Sequence, residues 1–213
     1  MVKARPAGIY VIAGTNGAGK STIGGAAIRE HGAEYFNPDE AARRITAANP
    51  DISQPDANSA AWNEGTRLLE TAIASRFTYA FETTLGGKTI TNLLDQAIAA
   101  GIEVRIWYVA LATPDLHIAR VRARVARGGH DIPAEKIRER YDRSRENLIR
   151  LLPRLTELRV FDNSADADPA TGSAPTPLLV LHMVQGRIVD MCEPSTVPEW
   201  AKPIVAFAVR RSG

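Results

Sequence analysis

Residues 14–21 read Gly14-Thr15-Asn16-Gly17-Ala18-Gly19-Lys20-Ser21, a run that fits the pattern G-x-x-x-x-G-K-[ST]. The apolar, β-branched stretch 9–13 comes directly before it and predicts a buried strand. Residues 22–30 follow and predict a helix, although Gly24 and Gly25 weaken it. A strand, a glycine-rich turn and a helix in this order form the context that a phosphate-binding loop requires.

The chemistry of this loop suits a nucleoside triphosphate. Glycines let backbone N–H groups surround a polyphosphate, and the helix N-terminus adds partial positive charge. Lys20 can reach the β- and γ-phosphates, and the Ser21 hydroxyl can join the shell of a Mg²⁺ ion. The alternative is a glycine-rich turn without a ligand, which leaves the complete pattern unexplained. We therefore expect ATP to be bound by Gly14, Thr15, Asn16, Gly17, Ala18, Gly19, Lys20, Ser21 and Thr22.

Length and composition fit one globular domain over residues 1–213, the domain that carries the glycine-rich loop. The chain has 45% hydrophobic and 23% charged residues, and its net charge of +2 does not select a class of partner. No stretch reaches the roughly 18 apolar residues of a membrane span, so no membrane association is expected. Residues 1–6 lead straight into the first strand and leave no room for a signal peptide. Cys192 is the only cysteine, which makes a reducing cytoplasm the expected compartment.

Strand and helix patterns alternate along most of the chain. Further strands are predicted at 34–37, 77–82, 104–110 and 159–162; a helix is predicted to open at Pro38, and others at 56–75, 91–100, 114–127 and 133–152. Repeated β-α units predict an α/β protein with a parallel sheet and helices on both faces. The expected class is a three-layer P-loop NTPase/kinase fold with a mostly parallel sheet.

The C-terminal quarter has a different pattern. Residues 163–177 are rich in Ala, Asp, Ser, Thr and Pro and predict an exposed, flexible loop. The apolar runs 178–183 and 187–190 flank Val184-Gln185-Gly186 and predict a C-terminal β-hairpin. Trp200 and the apolar residues of 204–209 predict a final packed helix.

Two predicted strands deliver carboxylates toward the glycine-rich loop, since ligands gather at the carboxyl ends of parallel strands. Asp39 follows the second strand and suits a base that accepts the proton of an acceptor hydroxyl, with a second role as a Mg²⁺ ligand. Glu82, Thr83 and Thr84 end the third strand and suit substrate binding. The alternatives are that Asp39 only stabilises its helix N-terminus, and that the other three form an ordinary polar strand exit.

An arginine-rich segment, about 114–152, predicts a helical lid. Arg120, Arg124 and Arg127 lie at i, i+4 and i+7, so a helix would present them on one face toward the γ-phosphoryl group. Gly128-Gly129 would be the hinge, and His130 and Arg140 follow it. Residues 117–159 hold eleven arginines and one lysine against six carboxylates. The alternative is a solvated charged face, and some of these arginines must pair with neighbouring glutamates.

These motifs together resemble the zeta-toxin family of P-loop kinases, in its compact bacterial branch. The resemblance covers about residues 8–164 and is carried by the glycine-rich loop, Asn37-Pro38-Asp39-Glu40, Phe81-Glu82-Thr83-Thr84-Leu85, Gly128-Gly129-His130-Asp131-Ile132-Pro133, residues 140–148 and Phe161-Asp162-Asn163-Ser164. It implies a kinase that uses ATP and Mg²⁺. In well-studied members the acceptor is UDP-N-acetylglucosamine, which is phosphorylated on the 3′-hydroxyl of the amino sugar.

The resemblance also implies roles for single residues. Lys20 matches the phosphate-binding lysine, Asp39 the catalytic base, and Glu82 and Thr84 the acid and hydroxyl beside the acceptor. Arg124 or Arg127 matches the catalytic lid arginine. The sequence departs from the family at the lid loop, where His130 or its neighbours stand in place of an arginine. An antitoxin protein stays open as a partner, because members of this branch resemble toxins without all being toxic.

Two other functions stay open at this stage. One is a kinase for another acceptor, such as a nucleoside, a sugar, an antibiotic or a polynucleotide 5′ end. Sparse aromatic residues in the lid, with only Tyr141, argue against nucleic acid. The other is an ATP-hydrolysing switch protein. Pocket shape is expected from the helix 56–75, whose residues Asn63, Glu64 and Arg67 face either the acceptor or solvent.

Overall fold

A computed structural model describes residues 7–21, 23, 34–165 and 176–212. Within these residues, seven strands form one sheet in the order β2-β3-β1-β4-β5-β6-β7. The strands are β1 (Gly8–Ala13), β2 (Glu34–Phe36), β3 (Tyr79–Thr83), β4 (Glu103–Ala110), β5 (Glu157–Asp162), β6 (Leu178–Val184) and β7 (Arg187–Met191). The first five are parallel and the last two antiparallel. The predicted α/β class with a mostly parallel sheet is confirmed.

Helices connect and flank these strands. They are α1 (Pro38–Ala48), α2 (Gln54–Ser75), α3 (Lys88–Ala99), α4 (Pro114–Val125), α5 (Ala134–Leu151) and α6 (Lys202–Ser212), with short 3-10 turns at Leu152–Arg154, Pro194–Thr196 and Glu199–Ala201. The helix predicted for 22–30 falls almost wholly outside the described residues, as does the middle of the polar loop 163–177. No helix within the described ranges is long and apolar enough to cross a membrane.

Several element boundaries differ from the predicted ones for local reasons. Helix α2 begins at Gln54 because the Ser53 hydroxyl accepts a hydrogen bond from the Asp56 N–H, which caps the helix. It ends where Arg76 adopts a left-handed conformation, so β3 begins at Tyr79. Helix α4 ends at Val125, two residues earlier than predicted.

The main hydrophobic cluster joins one face of the sheet to the helices. Alternate strand residues supply the sheet side, for example Val11, Phe81 and Ile106, which lie in register on three adjacent strands. Buried residues of α1, α2, α3, α5 and α6 supply the other side. The opposite face of the sheet carries a smaller cluster around Ile12 and Ala80. This alternation is the period-two pattern expected of a strand.

The register of the sheet brings the candidate residues to one edge. Ala13, the last residue of β1, lies opposite Thr83 at the end of β3 and opposite Tyr108 near the end of β4. Phe36, the last residue of β2, lies opposite Phe81. The glycine-rich loop and the strand ends at Asp39 and Glu82 therefore meet at the carboxyl edge, where ligands bind in parallel sheets.

The C-terminal hairpin and helix complete the structure as predicted. Gln185 and Gly186 both adopt positive φ angles, 47° and 76°, which suit a tight turn between β6 and β7. Trp200 is buried, and its indole N–H donates to Asp162 Oδ2 at 2.9 Å. This bond ties the start of the C-terminal segment to the end of β5.

Candidate active site

The glycine-rich loop has a backbone that only glycine can adopt at its tightest points. Gly14 has a φ of +140°, and a Cβ there would lie 2.0 Å from the Val109 carbonyl oxygen. Gly17 has a φ of +83°, and a Cβ there would lie 2.7 Å from the His117 carbonyl oxygen. Contacts this short with backbone cannot relax by a side-chain movement. The loop is therefore held against β4 and α4 in the strained shape that a phosphate cradle needs.

Buried His117 fixes the outer side of this loop. Its Nε2 accepts the Leu111 N–H at 3.2 Å, so its Nδ1 carries the proton and donates to the Asn16 carbonyl at 2.8 Å. Burial lowers the pKa of His117 to about 4, which keeps the ring neutral at pH 7. From the other side, Asn163 Nδ2 donates to the Ala18 carbonyl at 2.8 Å. Sequence reasoning missed both contacts, because they join positions far apart in the chain.

Lys20 lies inside the loop. Its Nζ donates to the carbonyl oxygens of Gly14 at 2.9 Å and of Thr15 at 3.5 Å. Burial lowers the pKa of Lys20, and the charges of Glu82 and Asp39 act in the opposite direction. Two predicted acids are therefore close enough to act electrostatically on the loop lysine. Ser21 is exposed, and Thr22 lies outside the described residues.

Asp39 stands in the first turn of α1. Asn37 caps this helix, since its Oδ1 accepts the N–H groups of Asp39 at 2.9 Å and Glu40 at 3.2 Å. Because the cap uses the Asn37 side chain, the Asp39 carboxylate stays free for other partners. It is half exposed, and Arg124 Nη1 lies 3.4 Å from its Oδ2.

Glu82 and the two threonines end β3 as predicted. The Glu82 side chain is buried, and the Tyr35 hydroxyl donates a short hydrogen bond to its Oε1. Thr83 Oγ1 accepts the Leu85 N–H at 3.1 Å, which shapes the exit from the strand. Both Thr83 and Thr84 line the adjacent cavity.

A cleft of about 720 Å³ adjoins the loop, and we call it the acceptor cavity. Lys20, Asp39 and Glu82 all line it, so the structure brings the three predicted groups to one space. Its walls also include apolar residues that were not predicted, among them Phe36, Phe81 and Trp62. Trp62 is 48% exposed, which is high for so large an apolar side chain.

Helix α2 forms one wall of the acceptor cavity, but with a different face from the one expected. Asn63, Glu64 and Arg67 are exposed and do not line the cavity, so their solvent alternative is correct. The lining residues of α2 are instead Pro55, Asn58, Trp62, Gly65 and Thr66. Their spacing of three and four residues is that of one helix face, a signal that was present in the sequence.

The lid arginines line a second, smaller cavity of about 600 Å³, named here the arginine cavity. Arg120, Arg124 and Arg127 lie on it, and Arg43 of α1 joins them. The prediction of a single helix face is wrong for Arg127, because α4 ends at Val125 and Arg127 lies in the turn before Gly128, whose φ is +84°. Of the charged lining residues, four are arginines and one is Asp39.

The lid loop joins the two cavities. Asp39, Asn58 and His130 line both of them. His130 Nε2 lies 3.2 Å from Asn58 Nδ2, and the His130 carbonyl accepts Arg124 Nη2 at 3.0 Å. Where the resemblance leads one to expect an arginine, His130 therefore connects α2 to α4.

Arg140 reaches the glycine-rich loop from α5. Its Nη1 donates to Asn16 Oδ1 at 2.9 Å, and the side chain lines the acceptor cavity. Burial lowers the pKa of Arg140 below its usual high value, without making the group neutral at pH 7. Arg140 and Arg124 also lower the pKa of Lys20, which places both guanidinium groups near that amine.

The residues at this site fit a Mg²⁺ ion bound together with a nucleotide. Over the described ranges, no group of three or more His, Cys, Asp or Glu side chains could hold a metal by itself. Mg²⁺ usually takes only one or two protein oxygens and keeps its phosphate and water ligands. Ser21 and Asp39 offer that number of oxygens next to the loop.

The fold and the loop define a class of protein. A glycine-rich loop after the central strand of a mostly parallel sheet is the P-loop kinase-like fold, which implies nucleotide binding. Residues 9–148, more than half of the chain, match the model of the AAA domain family (AAA_33). The chain belongs to this family.

Comparison with known proteins shows similar chains. An uncharacterized protein of Haemophilus influenzae is 30% identical over 129 residues, which cover 60% of this chain and 88% of that protein. Among solved structures, the AvrRxo1-ORF1:-ORF2 complex with ATP matches with a TM-score of 0.66 at 15% identity, over 95% of this chain and 64% of that one. The PezAT chromosomal toxin–antitoxin system of Streptococcus pneumoniae matches with a TM-score of 0.53 at 14% identity, over 82% and 72%. At these identities the structures share the fold, and the chain spans about two thirds of the AvrRxo1 chain.

Proposed function

We propose that this protein is an ATP-dependent kinase of zeta-toxin type, which transfers the γ-phosphoryl group of ATP to a hydroxyl of a nucleotide-activated sugar such as UDP-N-acetylglucosamine. The observation that carries the proposal is the convergence of Lys20, Asp39 and Glu82 on one cavity beside the glycine-rich loop. A nucleotide-binding loop alone would fit a switch protein equally well. Two acids facing a cleft large enough for a second substrate favour a transferase.

The two cavities differ in the chemical groups that they suit. Arg43, Arg120, Arg124 and Arg127 surround the arginine cavity, and their charge suits phosphate groups. The acceptor cavity has apolar walls and a few polar groups, the usual lining of a small-molecule site. Asn16 and Lys20 of the loop line the acceptor cavity together with Asp39, so Asp39 stands where the γ-phosphoryl group of a loop-bound ATP and an acceptor hydroxyl would meet.

The proposed reaction is an in-line phosphoryl transfer. Asp39 accepts the proton of the acceptor hydroxyl, whose oxygen bonds to the γ-phosphorus while the bond to the β–γ bridging oxygen breaks. The products are a phosphorylated acceptor and ADP. Lys20, Arg124 and Arg140 supply the positive charge that stabilises the transferring phosphoryl oxygens. Mg²⁺, when bound through Ser21 and Asp39, would neutralise part of the phosphate charge.

The residues that would bind the acceptor are Glu82, Thr83, Thr84 and Trp62. Glu82 and the threonines can accept and donate hydrogen bonds to sugar hydroxyls at the floor of the cavity. Trp62 offers an exposed aromatic surface on which a planar base can stack. A nucleotide sugar supplies both kinds of group, the sugar hydroxyls and the planar base.

A turnover panel tests this proposal. Purified protein is incubated with Mg²⁺, ATP and one acceptor at a time: UDP-N-acetylglucosamine, UDP-glucose, free N-acetylglucosamine, a nucleoside or a 5′-hydroxyl oligonucleotide. ADP release and mass spectrometry of the acceptor are measured together. We expect ADP release to require the UDP-amino sugar, with a gain of one phosphate on it. ADP release at the same rate without any acceptor would support a hydrolytic switch instead.

We also infer that the reaction takes place in the cytoplasm, where both substrates are metabolites. An antitoxin partner, which the family resemblance leaves open, stays open here as well. Two similar folds occur in complexes or systems with a second protein, AvrRxo1-ORF1:-ORF2 and PezAT. These two similarities support an antitoxin partner through the shared fold alone.

A further inference from the structure

The short edge strand β2 carries a residue that is bonded to one of the two proposed acids. Tyr35 belongs to this strand, and its hydroxyl donates to Glu82. The sequence did not single out Tyr35 as functional. We propose that Tyr35 positions Glu82 through this hydrogen bond, so that the Glu82 carboxylate keeps a fixed place at the acceptor cavity.

Tyr35 reaches Glu82 through one hydrogen bond. Tyr35 Oη donates to Glu82 Oε1, and Glu82 lines the acceptor cavity. Tyr35 is half buried and does not line the cavity, so it acts through Glu82 and not on a substrate. Burial and the negative charge of Glu82 raise the pKa of the Tyr35 hydroxyl well above its usual value. The hydroxyl therefore keeps its proton and remains a donor at working pH.

This inference rests on the proposed function, since it assigns Tyr35 an effect on phosphoryl transfer. A catalytic constellation works only when its supporting shell holds it to about 0.5 Å. The second oxygen of Glu82 would bind an acceptor hydroxyl in the right place only while the first is held. Packing is a separate matter: the Tyr35 ring also contacts the small hydrophobic cluster around Ile12 and Ala80, and phenylalanine would keep that contact.

The test compares Tyr35→Phe with the matched control Tyr10→Phe. Tyr10 contacts the same cluster from β1, and it does not line the acceptor cavity. Loss of a hydrogen bond to a charged group changes an equilibrium constant by roughly tenfold or more. We expect Tyr35→Phe to lower kcat by about tenfold at saturating ATP and acceptor, with the KM for ATP unchanged. Tyr10→Phe should match the wild type.

A Tyr35→Phe enzyme with kcat within about twofold of the wild type would overturn the inference. So would an equal loss in both tyrosine variants, because that would be a general effect of altering the cluster. If the wild type transfers no phosphate to any acceptor, the proposed function fails. A second measurement then shows whether Tyr35 positions Glu82.

That second measurement is a pair of crystal structures, of the wild type and of Tyr35→Phe. We expect the Glu82 carboxylate to move by more than about 0.5 Å or to change rotamer in the variant. An unmoved Glu82 carboxylate would contradict the positioning role, whatever the activity.

Discussion

Replacing Asp39 by asparagine separates catalysis from stability at this site. The Asp39–Arg124 pair is 3.4 Å long, and the two side chains are 54% and 39% exposed. An exposed pair of this kind contributes less than about 1 kcal/mol. The helix cap belongs to Asn37 and is untouched. We therefore expect the unfolding free energy to change by no more than about 1 kcal/mol, a shift in Tm of a few °C at most.

The effect on turnover should be far larger. The side-chain amide of the Asp39→Asn variant has no basic oxygen for the acceptor proton, and loss of a general base lowers the rate by about 10²–10⁴-fold. We expect kcat to fall within this range while the Kd for ATP changes little. Turnover is measured by ADP release with the acceptor, Kd by calorimetry and stability by thermal unfolding.

Glu40→Gln is the matched control. Glu40 stands in the same first turn of α1, is exposed and lines neither cavity. Its variant should keep the wild-type turnover. An Asp39→Asn protein that turns over like Glu40→Gln would refute the assignment of Asp39 as the base, and Asp39 would then only stabilise its helix N-terminus.

Three further outcomes are expected. Arg124→Ala should lower kcat at least tenfold because it removes positive charge beside the transferring phosphoryl group. Arg122 is exposed on the same helix and lies outside both cavities, so Arg122→Ala should keep the wild-type kcat. Equal kcat values for the two variants in steady-state assays would contradict the catalytic role of Arg124. Trp62→Ala should raise the KM for a nucleotide acceptor about tenfold through lost stacking, with exposed Asn63→Ala as control, and an unchanged acceptor KM would exclude Trp62 from the binding surface. His117 has a pKa of about 4 in the folded chain and about 6.5 when unfolded. The unfolded chain therefore gains the proton first as the pH falls, and the wild type should lose up to about 3 kcal/mol between pH 6.5 and 4 that His117→Gln does not lose. Urea titrations across this range measure the difference, and parallel curves would contradict it.

The parts of the site that follow from a local motif or from the ends of the strands could be predicted. The eight-residue loop carries its own signature, and parallel strands must end at one edge, which is why Asp39 and Glu82 were expected beside Lys20. Crossovers between parallel strands are right-handed, and this rule leaves few possible strand orders for the sheet. The register confirms this reasoning, with Thr83 opposite the last residue of β1.

The contacts that sharpen the site could not be predicted in the same way. Arg140 bonds Asn16 across 124 positions, and His117 bonds the same residue across 101. Such pairs depend on how helices pack over the sheet, and periodicity within one segment does not report it. Trp62 shows the opposite case. Its helix was predicted, but Asn63, Glu64 and Arg67 were the residues considered for the acceptor, although the helical period of 3.6 that groups Trp62 with Asn58 and Gly65 was readable in the sequence.

Transfer of a labelled γ-phosphate tests the central claim most directly. The wild type and Lys20→Ala are incubated with [γ-³²P]ATP, Mg²⁺ and UDP-N-acetylglucosamine, and the label is followed by chromatography. The account predicts that label moves to the UDP-amino sugar with the wild type and that the variant loses both ATP affinity and transfer. Label that appears only as inorganic phosphate, or transfer that persists without Lys20, would contradict it.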